Sequence, residues 1–147
     1  AQTVLRLYDG DGVRYGGADT QAVEFVQCTG CGSLAVAVGN AHGAYVQTPN
    51  LDFDRIASLR SALPIPLVLH GCSDIPPEQL QESVRLGMSK FNIATEYFRA
   101  CYHGVVQHGD PAEKNGDMFR LMMETSENAI DFVRGKMRLL NPNKFTF

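Results

Sequence analysis

Residues 34–38 read Leu-Ala-Val-Ala-Val and residues 66–69 read Pro-Leu-Val-Leu, with no polar side chain in either run. An apolar stretch this short, without alternation, leaves no face for water, so each reads as a strand buried on both sides. Such strands belong to parallel sheets, and a parallel sheet needs a helix to carry the chain back before each new strand. That requirement organises the rest of the sequence. A looser strand is expected over 90–94 (KFNIA) and another over 3–8 (TVLRLY). Between the strands the apolar spacing turns helical. Ala22, Val23, Phe25 and Val26 follow a cap at Asp19 or Thr20, and Phe53, Ile56, Ala57 and Leu59 line a helix over 51–63. Pro76 and Pro77 open a third helix that Gly87 caps, Thr95 opens a fourth through Val106, and a last amphipathic helix is expected over 118–139. A polar break over 110–117 precedes that helix, and the tail at 141–144 carries neither pattern. The expected fold class is α/β, built from βα units.

At 147 residues, 44% hydrophobic and 20% charged, the chain suits one globular domain over 1–147. Within it, 1–19 is a glycine-rich opening segment, 20–109 holds the βα units and 110–147 holds the final helix and tail. Gly10, Gly12, Gly16 and Gly17 do not follow the dinucleotide-binding spacing, and a loop is expected there. A net charge of −3 offers no attraction for nucleic acid, and no run has the length to cross a bilayer or the pattern of a signal peptide. No nucleic acid and no membrane are therefore expected as partners, and the expected location is cytoplasmic with thiols reduced. Cys28-Thr29-Gly30-Cys31 has the spacing of a metal knuckle or redox pair. The second pair of a zinc ribbon is missing, and this pair closes a helix where a redox motif would open one. A helix end capped by Gly30 or Gly32 is the expected reading.

His42-Gly43 and His70-Gly71 stand just past the two apolar runs, at the carboxyl ends where α/β sheets gather their chemistry. Two histidines in one setting suggest two ligands for one metal ion. His103 and His108 lack that setting. Met118, Met122 and Met123, about a helical turn apart, read as core packing.

Four segments carry a resemblance: SLAVAVGNAHGAY (33–45), LDFDRI (51–56), PLVLHGCSD (66–74) and NIATE (92–96). In order and spacing they resemble the class II, metal-dependent ketose-bisphosphate aldolases, over about residues 19–105. The resemblance implies a (β/α)8 TIM-barrel type fold of which this chain holds the C-terminal half. It implies that His42 and His70 bind Zn2+, with an open position for substrate. Gly43, Gly71, Cys72, Ser73, Asn92, Ile93, Ala94 and Thr95 would hold the sugar phosphate, with Asn92 also orienting the triose hydroxyls in catalysis. Cys72 stands where the family more often has a smaller residue. The implied reaction is cleavage or condensation of fructose or tagatose 1,6-bisphosphate, giving dihydroxyacetone phosphate and glyceraldehyde 3-phosphate. The alternative is a non-catalytic phosphate-binding or assembly module of the same descent.

The chain also departs from the family pattern. No Asp-His pair, which would give the catalytic acid and a third zinc ligand, occurs in it, and Thr3–Gly12 lacks the glutamates of the family's Glu-x-Glu-Leu-Gly segment. Asp117-Met-Phe-Arg120 stands nearest to the expected Asp-Pro-Arg, and Asn141-Pro-Asn-Lys-Phe replaces a Gly-Ser-Ala tail. Too few strands for a closed barrel leave open sheet edges, so a homo-oligomer such as a dimer, or pairing with an N-terminal half, is expected.

Overall fold

The computed structural model describes residues 3–5, 18–41, 48–109 and 116–146. Strands and helices alternate: β1 (Thr3–Leu5), α1 (Ala18–Thr29), β2 (Leu34–Val36), α2 (Phe53–Ala62), β3 (Leu67–Leu69), α3 (Pro77–Arg85), β4 (Met88–Phe91) and α4 (Thr95–His108), followed by α5 (Met118–Leu139). The described strands form one parallel sheet in the order β1-β2-β3-β4. A doubly wound sheet reverses its strand order at a switch point. This sheet never reverses; each strand is added outside the last, as in a piece of a (β/α) barrel. The α/β expectation holds.

Leu34 and Val36 of β2, Leu67 and Leu69 of β3, Ile56 and Leu59 of α2 and Leu80 of α3 share one apolar cluster. Ala35 and Val68 pair across the sheet, one residue out of phase with that cluster, and side chains alternate between faces along a strand. Both are nevertheless buried, at 4% and 1% exposure. The runs carry no polar residue because both faces are shielded.

Several boundaries differ from expectation. α1 begins at Ala18, so Asp19 lies in its first turn and neither Asp19 nor Thr20 is its cap. There the Asp19 carboxylate suits the helix dipole and accepts a bond from the Ser58 hydroxyl on α2. The helix ends as expected: Gly30 takes φ +62° and donates to the Val26 carbonyl at 2.9 Å, while Cys28 is exposed and Cys31 buried. β4 starts earlier than 90–94. Leu67 pairs with Met88 and Val68 with Lys90, leaving Ser89 as the extra residue of a bulge. The bulge lets Met88 and Phe91 both pack on the cluster, and Asn92–Ala94 become loop.

α5 spans the expected residues, capped by Asp117, whose side chain accepts from the Arg120 N–H at 3.0 Å. Its methionines are a correction. Met118, Met122 and Met123 are 64%, 64% and 56% exposed, and α5 has no buried residue. Periodicity marks which face of a helix is apolar, not whether anything covers it. The tail is a turn: Asn141 accepts from the Phe145 N–H at 2.9 Å and donates to the Phe145 carbonyl at 2.7 Å. The glycine-rich loop, the end of the first expected strand, His42-Gly43 and most of the polar break lie outside the described residues. Among the described residues no helix is long and apolar enough to cross a membrane.

Candidate active site at the strand ends

β3 and β4 run out side by side, and their loops stay paired beyond the strands. Asn92 donates its N–H to the Leu69 carbonyl at 2.9 Å, and Cys72 donates to the Asn92 carbonyl at 3.1 Å. Gly71 between them takes φ +61°, the left-handed turn that glycine allows without cost. A cavity of about 500 Å³ opens here, lined by His70, Gly71, Ser73, Phe91, Asn92, Ile93, Ala94 and Thr95. It lies at the N-terminus of α4, where unpaired amides and the helix dipole favour an anion.

Seven of the residues singled out from sequence thus share one cavity. His42 and Gly43 lie outside the described residues. Cys72 is placed apart: it is fully buried, its Sγ donates to the Leu69 carbonyl at 3.0 Å, and burial pushes its thiol up to about 12. Its N–H is also taken, so neither group faces the cavity.

Ser73 reaches across the site. The residue is 3% exposed, and its Oγ accepts from the Glu96 N–H at 3.3 Å and so satisfies a first-turn amide of α4. The α3 cap is Pro76, without a side-chain bond, and the α4 cap is Ala94, which leaves Thr95 as the first helical residue. Asp74, next to Ser73, takes φ 61° and binds Arg99 of α4 through two contacts of 2.7 and 2.8 Å. The Arg99 guanidinium holds the Asp74 carboxyl below its usual range, and Asp74 raises Arg99 in return. One turn earlier, Glu96 pairs with Lys136 of α5 at 2.7 Å. The first tie holds α4 against the loop that carries His70, and the second holds it against α5.

His70 is half-buried, with the Asn92 amide nitrogen 3.2 Å from its Nδ1 and 3.3 Å from its Nε2. Its carbonyl is held from β2. Asn40 accepts from the Val38 N–H at 2.9 Å and donates its Nδ2 to the His70 carbonyl at 2.7 Å. Sequence reasoning did not single out Asn40. The available signal was an amide side chain directly after Gly39, which takes φ +91° and where a Cβ would collide with the Asn50 carbonyl. That turn aims Asn40 along the strand ends.

A catalytic zinc ion takes about three protein donors. Among the described residues no group of three or more His, Cys, Asp and Glu side chains converges to hold a metal, and His70 is the imidazole at the cavity. Its donor chemistry and its braced carbonyl fit one corner of such a site. His108, on α4, instead faces Glu124 at 3.6 Å.

Residues 11–144 match the family described as fructose-bisphosphate aldolase class-II. Among solved structures the chain is similar to the YdjI aldolase from Escherichia coli K12, at 33% identity and a TM-score of 0.81, covering 97% of this chain and 50% of that one. It shares its fold with the fructose-bisphosphate aldolase (Fba) from Campylobacter jejuni, at 20% identity and a TM-score of 0.75, covering 95% of this chain and 51% of that one. The chain spans about half the length of these relatives.

Proposed function

Because the chain belongs to the class II fructose-bisphosphate aldolase family, we propose that it holds the triose-phosphate side of a zinc-dependent aldolase site. The reaction is reversible cleavage of a ketose bisphosphate, fructose or tagatose 1,6-bisphosphate, to dihydroxyacetone phosphate and glyceraldehyde 3-phosphate. The observation that carries this reading is the strand-end cavity in which His70, Ser73, Asn92 and Thr95 meet at the start of α4.

A triose phosphate is recognised by its dianion and by the oxygens beside its carbonyl. The first-turn amides of α4 and the Thr95 hydroxyl provide donors for the phosphate. Ser73 accepts from Glu96 and so still has its own hydroxyl hydrogen to donate to a phosphate oxygen. Asn92, next to the His70 ring, orients the triose hydroxyl, and Phe91 and Ile93 form an apolar wall against water. His42 and His70 are the residues of this chain that would hold Zn2+, which when bound draws charge from the substrate carbonyl as a Lewis acid. The acid that moves the proton comes from outside these 147 residues, since the family's Asp-His pair is not among them.

Titration calorimetry of the chain with dihydroxyacetone phosphate tests the reading, beside zinc analysis and a bisphosphate cleavage assay with chelator. Expected are zinc retention lost in His70→Ala, and triose-phosphate affinity weakened about tenfold or more in Ser73→Ala and Thr95→Ala, as for a lost bond to a charged group. Triose-phosphate binding without zinc or cleavage, even with the barrel's other half supplied, favours the non-catalytic module, to which the missing Asp-His pair also points. No binding of either ligand overturns both.

A further inference from the structure

The cavity meets the positive end of α4, yet the second residue of that helix is acidic. Thr95 opens α4 and Glu96 follows it. An anion beside this turn is under two opposed influences. The helix dipole attracts it, and a carboxylate in the same turn repels it. Ser73 Oγ accepts from the Glu96 N–H at 3.3 Å, so the backbone of Glu96 is tied to a residue that lines the cavity. An unmatched negative charge at this place would work against a phosphate dianion.

The matching charge comes from another helix. Lys136 of α5 sets its Nζ 2.7 Å from Glu96 Oε2. Both side chains are mostly withdrawn from solvent, at 19% and 22% exposure, whereas Arg99 and Asp74 of the neighbouring pair stand at 46% and 32%. Water therefore screens the Lys136–Glu96 pair less. Lys136 Nζ also lies 5.5 Å from the centre of the Phe132 ring, and Leu139, three residues on, packs against the core cluster. This end of α5 is thereby anchored, and the ammonium with it. Its field reaches both neighbours of Ser73. At Cys72, behind the dominant burial and the Asn92 bond, Lys136 lowers the thiol and Glu96 raises it. At Asp74, Lys136 adds to the lowering by Arg99.

We propose that Lys136 is a positioning residue for the substrate phosphate: it neutralises Glu96, so that the N-terminus of α4 meets the dianion without an opposing charge. Binding in the cavity thus depends on α5, a helix that supplies none of its lining residues. The inference rests on the reading of the cavity as a phosphate site.

Titration calorimetry of the full chain with dihydroxyacetone phosphate and with inorganic phosphate tests it, with circular dichroism confirming that each variant is folded. Lys136→Met keeps the hydrocarbon stem and removes the charge, and affinity for both ligands is expected to fall about fivefold or more, as for one unpaired charge near the ligand. Glu96→Gln keeps the backbone bond to Ser73 and leaves Lys136 with a free positive charge, so affinity is expected to rise about twofold or more. The double variant is expected to bind more tightly than Lys136→Met. A pair that serves only to join α4 to α5 gives another pattern: both single variants weaken binding, and the double is no better than Lys136→Met. That pattern, or affinity unmoved by either substitution, overturns the proposal and leaves the phosphate reading standing. Should Lys136→Met fail to fold, Glu96→Gln decides by the sign of its effect. A wild-type chain that binds neither ligand overturns the phosphate reading and this inference with it.

Discussion

The sheet and α5 draw on the same kinds of apolar side chain to opposite effect. Leu34, Leu67, Leu69, Ile56 and Leu59 are all within 1% of full burial, whereas the 22 residues of α5 include none that is buried. The difference is in what lies on each side. The two central strands are shielded on both faces, but α5 runs along α4, joined by the Glu96–Lys136 and Gln107–Asn128 pairs and the Tyr97–Phe132 ring contact, and reaches the core at its end through Leu139. The comparison teaches that the core of this chain rests on its sheet and first three helices, while α5 packs outside them along α4. Regions with few buried contacts open first.

The sharpest way to break that contrast is a pair of truncations. Leu59→Ala should cost about 2–5 kcal/mol in urea unfolding, as for a fully buried leucine, and Met118→Ala, at an exposed site, no more than about 0.5 kcal/mol. Equal losses would erase the distinction. A smaller effect is expected from Asn40→Ala, which leaves the Val38 N–H and the His70 carbonyl without their side-chain partner and should cost about 1–2 kcal/mol. Its structural signature is a shift in the His70 ring resonances with those of α5 unchanged.

The smallest effect belongs to Asp74→Asn, because Arg99 is exposed and Asp74 partly so, and solvent screens the pair. The folded carboxyl lies below its ordinary 3.8, so the pair contributes fully above that value and its contribution is lost as pH falls through the lowered one. The stability difference between wild type and Asp74→Asn should therefore be present at neutral pH and vanish in strong acid, as read by urea midpoints across the range.

The sequence made the strand–helix alternation legible because an unbroken apolar run has one structural use. It made α5 legible because Asp117 and a steady period mark a helix in any surroundings. β4 was less legible: the bulge at Ser89 depends on which residues Leu67 and Val68 meet across the sheet, and no local pattern encodes that. The cavity residues were readable as strand-end loops and motifs. Ser73 was readable as part of a phosphate-holding loop, but its bond to α4 was not, since Glu96 is 23 positions away and only the fold brings them together. Asn40 was hidden for the same reason, its partner lying 30 residues on. The exposed face of α5 was misread because hydrophobic spacing is silent about neighbours.

The unreversed strand order has a bearing on how the polypeptide assembles. Among the described residues each strand after β1 pairs with the one made just before it, so none of these ladders has to wait for chain not yet synthesised. The sheet can thus extend in the direction of translation, one rung per helical return, with each closure drawing only on local sequence. Such a unit grows outward from a rim, and β4, the latest rung among the described residues, is where the next would be laid.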